Sequence, residues 1–465
     1  MCAARCIVVH MTLTMRYRAG TIEIAGALPD DEDLCAIARY DVRAACFRAE
    51  AQQYGAIRKR LVARARTVVD EIRADVAMTH PLAEDLPLRA YQEGALDAWW
   101  AADARGVVVL PTGAGKTRLG IAAIARRAVR TLVVAPTLDL VWQWHGELAR
   151  AFGRAPGVVG GGEHDVQDLT VTTYDSAFLH AESLGARFGM LVFDEVHHLP
   201  SPAYRAAAQL SAAPYRLGLS ATPERDDGAH EALTSLIGSI VYRVEVDALR
   251  GEYLADYDVE TVPVALSDEE RRVWDEARAT YLAFVRSKAI PMGARDGFVR
   301  FLRAAASSSE GRRALDAYRA QKMLAECAPG KIDVVLGLLD RHAHGRALVF
   351  TRDNKTAYAI ARRALIPAIT HQTKVSERTA VLDALRHGDI GAVVTSRVLN
   401  EGVDVPDADV AIVVSGSGTV REHVQRLGRV LRPRDGKRAR LYELVTEGTG
   451  EEATSRRRRE HVAYR

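Results

Sequence analysis

Between residues 106 and 221, short runs dominated by Val, Leu and Thr follow one another, separated by helical patterns, and no other feature narrows the fold so far. The runs are GVVVL (106–110), TLVVAP (131–136), LTVTTY (169–174), MLVFDE (190–195) and YRLGLSA (215–221). They are almost continuously apolar rather than alternating, as a strand must be when both faces of its sheet are covered. The stretches between them, such as KTRLGIAAIARRAV (116–129) and LDLVWQWHGELARAF (138–152), carry apolar residues at helical spacing. Strands joined through helices form βαβ units, so the series predicts an α/β domain with a parallel sheet between helical layers. The same grammar restarts near Lys331, with strands predicted at 346–351, 391–396, 409–416 and 439–445 and helices at 353–365, 376–388 and 419–431. The 465 residues suffice for two such cores, since a domain usually takes about 100–200.

Two segments break the pattern. In 247–325, SDEERRVWDEARATYLAFVRSKAI (267–290) spaces Val273, Ala277, Tyr281, Phe284 and Val285 as on a helix. The basic sequence 298–326 continues it, interrupted by three serines, which predicts a helical insertion. Residues 1–80 combine a predicted strand pair (11–26, turning at Ala19-Gly20) with amphipathic helical sequence, as in a small α+β module. The expected organisation is therefore a module at 1–80, an α/β domain at 81–246, the insertion at 247–325, a second α/β domain at 326–455 and a basic tail at 456–465.

Composition excludes several classes. Cys2, Cys6, Cys35, Cys46 and Cys327 form no CxxC pair, so a disulfide or zinc framework is not expected and the chain reads as a reduced, cytoplasmic protein. CIVVHM is too short for a signal-peptide core, and no apolar run is long enough to span a membrane. The net charge of +3 conceals a basic end (SRRRRE, 455–460) and an acidic stretch (LPDDEDL, 28–34), and mild basicity is compatible with a nucleic-acid partner.

The chemistry concentrates where strands end. GVVVL runs into PTGAGKT (111–117) and a helix follows. Small residues there let backbone amides surround phosphate oxygens, the helix N-terminus adds positive potential, Lys116 reaches the β/γ-phosphates and Thr117 ligates Mg²⁺. The strict phosphate-loop pattern would have Gly where Leu110 stands, so a glycine-rich turn before an ordinary helix is the competing reading. MLVF ends in Asp194 and Glu195, on the rim where a parallel sheet collects ligands. Asp194 suits Mg²⁺, a hard cation often held by one carboxylate with phosphate and water, which leaves Glu195 to orient or deprotonate the attacking water. Adjacent His197 and His198 lack the His-Glu-x-x-His spacing of a zinc hydrolase and are expected to point apart; the alternative is that both are polar loop residues before Leu199-Pro200. In QRLGRVLRP (425–433) the arginines recur every third residue, either as a solvated basic face or as guanidinium groups that stabilise a transferring γ-phosphate when two domains close.

These residues resemble the superfamily 2 helicases and, within them, the XPB-type DNA helicases in their compact archaeal form. The stretches that carry the resemblance are LRAYQEGAL (88–96), LPTGAGKT, APTLDLVWQW, TTYDSAF, FDEVHHLP, GLSATPER, VFTRDN, VLNEGVDVPDA, SGSGTVREHVQRLGRVLRP and YELVTEGTGE, in the family's order. The resemblance implies two RecA-like parallel-sheet P-loop domains with a small N-terminal α+β module and a helical thumb-like insertion. It implies ATP and Mg²⁺ as cofactors, with nucleotide held by Arg89, Gln92 (at adenine), Thr112, Gly113, Ala114, Gly115, Lys116, Thr117, Gly402 and Asp404. It further implies metal ligation by Thr117 and Asp194, catalysis by Glu195, Lys116, Arg429 and Arg432, and coupling to nucleic acid through His197, Ser220, Thr222 and Gln425. Leu110 is compatible, because this superfamily's loop tolerates a non-Gly residue there.

The implied activity is a 3′ to 5′ DNA helicase of nucleotide-excision repair that contacts mainly the DNA backbone, acts as a monomer and has a repair nuclease as a candidate partner. A duplex-DNA translocase, an RNA helicase and a non-hydrolysing scaffold are the rivals. The family's Arg-Glu-Asp unwinding element reads Arg225-Asp226-Asp227 here, one methylene shorter, which preserves ATPase while putting strand separation in question. Arg286, Lys288, Arg295, Arg300 and Arg303 are candidate DNA-grip residues of the insertion. Residues 1–10 precede the family-like start and read as a start-site artefact or a tail.

Overall fold

The computed structural model describes residues 12–72, 76–78, 81–225, 227–249, 256–294, 296–396, 408–415 and 438–459. They fall into two units, Met1–Val244 and Glu245–Arg465.

In the first unit an eight-stranded sheet runs Ile240–Arg243, Arg105–Val109, Tyr215–Ser220, Met190–Phe193, Thr131–Ala135, Leu169–Thr173, Gly157–Gly160, Glu163–His164. Neighbours are parallel except the last two, which form a tight antiparallel hairpin. The five predicted strands form its centre. The three additional strands are edge pieces too short, or too interrupted by glycine and polar residues, to show an apolar run. Val107, Val109, Leu132, Val134, Leu191 and Phe193 pack with Tyr174 and Phe188 into one core. Because Tyr215–Ser220 lies between Arg105–Val109 and Met190–Phe193, the carboxyl ends of all three strands share one rim.

The N-terminal residues form a five-stranded sheet, ordered Arg39–Asp41, Cys46–Glu50, Thr21–Ala25, Leu13–Arg18, Val68–Asp70, with the helix Tyr54–Ala63. The predicted turn is where expected: Ala19 and Gly20 have φ of 43° and 82°, the paired positive values of a two-residue hairpin loop that matches strand twist. Leu13, Ile22, Phe47, Tyr54, Ile57 and Leu61 make its core, which Ala212 of the α/β domain enters. The Tyr17 hydroxyl shares its proton between the carbonyls of Leu210 (2.8 Å) and Glu182 (3.0 Å), and burial pushes its pKa up to about 12. It is thus a donor tying the module to two helical segments of the larger domain.

The second unit is built on a six-stranded, wholly parallel sheet: Asp256–Val264, Arg438–Thr446, Val410–Val413, Ala347–Phe350, Ala392–Thr395, Ala368–Ile369. Its first strand corrects the sequence reading, which placed 247–325 in a helical insertion. DYDVETVPV interleaves acidic and apolar residues without a steady period, Val259 being exposed and Val264 buried, and Pro263, which lacks an N–H, is tolerated because the strand is at the edge. The helices Asp268–Ser287, Gly297–Ala306 and Ser309–Glu326 follow. Ser267 and Glu270 cap the first reciprocally, and Ser308 from the serine run caps the third, so the interruption is a helix start. Tyr281, Phe284, Val285, Phe301, Ala305 and Ala314 make a separate small core, with Tyr281 edge-on to Phe301 at 5.3 Å. Val273, expected inside, is exposed, and Trp274 is buried in its place. The helices predicted at 353–365 and 376–388 are Asn354–Ala364 and Val375–His387, while that at 419–431 lies outside the described residues. No described helix is long and apolar enough to cross a membrane.

Lys331, on the helix Pro329–Arg341, is fully buried, and its ammonium donates to Glu451 Oε2 (2.7 Å), Val414 O (2.9 Å) and Glu326 O (3.3 Å). Removing one partner of a buried pair strands the other charge, so Lys331→Met is expected to lose about 3–5 kcal/mol in chemical denaturation. Arg363→Ala, which breaks the half-exposed 2.6 Å pair with Asp333, is expected to lose less than about 1 kcal/mol.

Candidate functional site

After Arg105–Val109 the chain turns at the buried Leu110 through Pro111 to Gly115 and enters the helix Lys116–Arg127. Gly113 and Gly115 have φ of 86° and 74°, a region where a side chain costs about 1–2 kcal/mol. Nothing acidic occupies the helix's own first turn, so its positive end favours an anion. The loop is backed by the helix Ala90–Ala101: Gln92 Nε2 donates to the carbonyls of Ala114 (3.0 Å) and Gly115 (3.3 Å), and the Tyr91 hydroxyl donates to Ala114 O (2.9 Å). Gln92 Oε1 accepts from the Arg89 amide at 2.9 Å. Gln92 was expected at an adenine ring; here both its amide donors hold the loop backbone, so what the geometry supports directly is a role in shaping the loop. Thr112 lies within the loop, half-buried, as does Lys116 at its end.

Asp194 follows Met190–Phe193 and is almost wholly buried. Its Oδ2 accepts from Trp144 Nε1 at 2.9 Å and its Oδ1 from the Glu195 amide at 3.0 Å, leaving a lone pair on each oxygen for a cation. Trp144 reaches it because residue 120 is glycine: a Cβ there would sit 2.6 Å from the indole ring. The buried Tyr174 hydroxyl donates to Asp194 O at 3.0 Å; burial, then the charges of Asp194 and Glu195, hold its pKa far above the usual phenol value, so it remains a donor. Trp144, Tyr174 and Tyr91 were missed in the sequence, where the only signal was that a buried indole or phenol needs a polar partner. Thr117 is the second residue of the helix, and a hydroxyl and a carboxylate such as those of Thr117 and Asp194 are the hard oxygen ligands that Mg²⁺ takes. Among the described residues no three His, Cys, Asp or Glu side chains gather into a metal cluster, so a cation here needs phosphate or water oxygens as well.

Glu195 has φ 44° and ψ 55°, a left-handed backbone that is strained for a residue with a side chain. Its carboxylate lies 3.9 Å from Lys116 Nζ through one oxygen and 3.5 Å from His197 Nδ1 through the other. His197 Nδ1 is also 3.2 Å from Ser220 Oγ, which accepts from the Thr222 amide at 3.2 Å. Arg225 donates to the His197 carbonyl at 3.0 Å. The structure therefore joins Lys116, Glu195, His197, Ser220, Thr222 and Arg225 in one network that starts at the glycine loop. His197 and His198, expected to point apart, have ring centroids 4.4 Å apart because the one-turn helix Val196–His198 brings them alongside. His198 packs near the Tyr174 ring at 5.8 Å.

Gly402, Asp404, Gln425, Arg429, Arg432, Asp226 and Arg295 lie outside the described residues. Arg286, Lys288, Arg300 and Arg303 are exposed on the insertion, with Arg300 paired to Asp296 at 2.7 Å.

Comparison with known proteins covers most of the chain. Residues 15–72 match the Xeroderma pigmentosum group B helicase damage recognition domain, 85–225 the type III restriction enzyme res subunit and 330–434 the helicase conserved C-terminal domain. The chain is 45% identical to a DNA 3′-5′ translocase XPB2 of Sulfurisphaera tokodaii, across 83% of this chain and 87% of the relative. It is 35% identical to a DNA 3′-5′ helicase XPB of Kineococcus radiotolerans, across 82% of this chain but only 64% of that longer protein. The helicase domain of Pyrococcus furiosus Hef superposes with a TM-score of 0.54 at 21% identity, covering 81% of this chain and 99% of that one, which supports the paired RecA-like fold.

The loop geometry can be tested by adding one carbon. Gly115→Ala would put a Cβ 2.5 Å from Gln92 Nε2 at a positive φ, and is expected to weaken binding of a fluorescent ATP analogue by about 10-fold or more. Gly146→Ala, in the helix Leu138–Phe152 with no atom within 4 Å, should leave binding unchanged and raise stability by roughly 0.5–1 kcal/mol.

Proposed function

The chain belongs to the XPB-type family of superfamily 2 DNA helicases, and we propose on that premise that it is a DNA-dependent ATPase that moves 3′ to 5′ along DNA in nucleotide-excision repair. The observation that carries this reading is the continuous contact from the glycine loop through Lys116, Glu195 and His197 to Ser220. Such an arrangement lets occupancy at a phosphate site alter residues some distance from it.

Lys116 and the amides at the start of its helix bind the phosphates, and Thr117 with Asp194 would hold Mg²⁺, which would supply positive charge to offset that of the phosphates. Trp144 keeps the Asp194 carboxylate oriented. Glu195 orients the attacking water and accepts its proton. An arriving γ-phosphate competes with Glu195 for the Lys116 ammonium, which frees that carboxylate oxygen to face the attacking water while the other stays beside His197. Arg89, Thr112, Gly113, Ala114, Gly402 and Asp404 complete the nucleotide contacts, Gln425 joins the coupling residues, and Arg429 and Arg432 add positive charge at the γ-phosphate. The exposed Arg286, Lys288, Arg300 and Arg303 grip the DNA backbone, so binding weakens with salt and carries little sequence preference. The protein works as a monomer in the cytoplasm, with a repair nuclease as its protein partner.

A second reading, translocation on duplex DNA with little unwinding, is favoured by one observation: the relative at 45% identity is named a translocase. ATPase stimulation by single-stranded DNA, duplex DNA and RNA, with displacement of 3′- and 5′-tailed duplexes, separates these readings. DNA stimulation and 3′-tailed displacement support the helicase, stimulation without displacement supports the translocase, and stimulation by RNA alone sinks both. Glu195→Gln is expected to bind ATP and DNA normally and to turn over at least about 10²-fold more slowly. Normal turnover in that variant would remove Glu195 from the mechanism.

A further inference from the structure

Arg225 and Asp227 stand where the family's unwinding element falls, yet the structure turns Arg225 inward. Arg225 follows the strand Tyr215–Ser220 by a short loop and is about a quarter exposed. Its Nη1 donates to the carbonyl of His197 at 3.0 Å, while Nε and Nη2 fork onto the two carboxylate oxygens of Asp227 at 3.0 and 2.7 Å. The Arg225 amide donates to His230 Nδ1, and the Ala229 amide to Asp227 Oδ1. The hydrogen bonds from Arg225, then that from Ala229, hold the Asp227 carboxyl far below the usual carboxylate range, so the fork is charged at any working pH.

The His197 carbonyl belongs to a single helical turn that follows the strained Glu195. Its neighbours are satisfied by backbone: Glu195 O accepts from His198, Val196 O from Leu199 and His198 O from Ser201. His197 is almost wholly buried, and its carbonyl receives the Arg225 guanidinium. A left-handed backbone at a residue with a side chain persists only when its surroundings over-determine it, and a buried carbonyl deprived of its donor rearranges. Arg225 is therefore part of what keeps Glu195 in its strained conformation.

We propose that Arg225 is a positioning residue for ATP hydrolysis, which fixes the turn 196–198 behind Glu195 through the His197 carbonyl, and that Asp227 serves to hold Arg225 rather than to meet nucleic acid. This deepens the ATPase reading and rests on it. Lysine cannot replace the fork, because one ammonium cannot span the His197 carbonyl and both carboxylate oxygens as a planar guanidinium does.

The test uses the full chain, measuring DNA-free ATPase, melting temperature and amide hydrogen exchange over 195–201. Arg225→Ala and Arg225→Lys are both expected to lower kcat by about 10-fold or more while KM for ATP stays within about 2-fold. Asp227→Ala should lose less, and the double variant with Arg225→Ala no more than Arg225→Ala alone. Amides of His198 and Leu199 should exchange faster in each variant. Wild-type DNA-free kcat in Arg225→Lys, additive losses in the double variant, or unchanged exchange would each overturn the proposal. If Arg225→Ala does not fold, Asp227→Ala decides by the same readings. A wild-type protein with no more ATP turnover than Lys116→Ala would overturn the ATPase reading instead, and the exchange measurement would still decide whether Arg225 fixes the turn.

Discussion

Parallel pairing of Tyr215–Ser220 between Arg105–Val109 and Met190–Phe193 is the constraint on which the site depends. These strands come from well-separated parts of the chain, and only their register puts their carboxyl ends side by side. Hydrogen bonding of the Leu110 amide to Ser220 O carries the pairing past the last residue of Arg105–Val109. The glycine loop, Asp194-Glu195 and Ser220-Ala221-Thr222 then leave the sheet at one rim, where a parallel sheet collects ligands.

On that rim, buried polar groups are held by partners brought from the flanking helices. Trp144 reaches Asp194 only because Gly120 leaves room for the indole, and Gln92 reaches the loop carbonyls only because Gly115 has no Cβ. Each glycine is thus a packing requirement of the polar residue opposite it. Hydrogen bonds flank the strained Glu195 on either side, from its own amide to Asp194 and from Arg225 to the following turn.

Where the sequence reading and the structure diverge, the reason is local. The strand Asp256–Val264 was hidden because its acidic residues, the shift of apolar phase between Val259 and Val262, and Pro263 argue against a buried strand, whereas an edge strand needs only one good partner, Arg438–Thr446. Trp274 displaced Val273 because helical spacing alone leaves the phase of the apolar face open by one residue, and the larger ring takes the interior. The histidines came together because a single helical turn, rather than an extended loop, follows Glu195.

Some of the protein is determined by order along the chain. Apolar runs that never alternate demand a doubly covered parallel sheet, and Gly-x-Gly-Lys-Thr after the first run demands a left-handed turn into a helix, so both the fold class and the glycine turn were legible. The identity of Asp194 and Glu195 as rim residues follows from their position just beyond an apolar run. Contact between residues far apart in sequence is not encoded locally: that Trp144 serves Asp194, that Gln92 clasps the loop and that Arg225 grips the turn behind Glu195 depend on strand order and helix packing. A side chain's hydrogen-bond partner is settled by what lies opposite it once the core has closed, and the closing of the core is a property of the whole sheet.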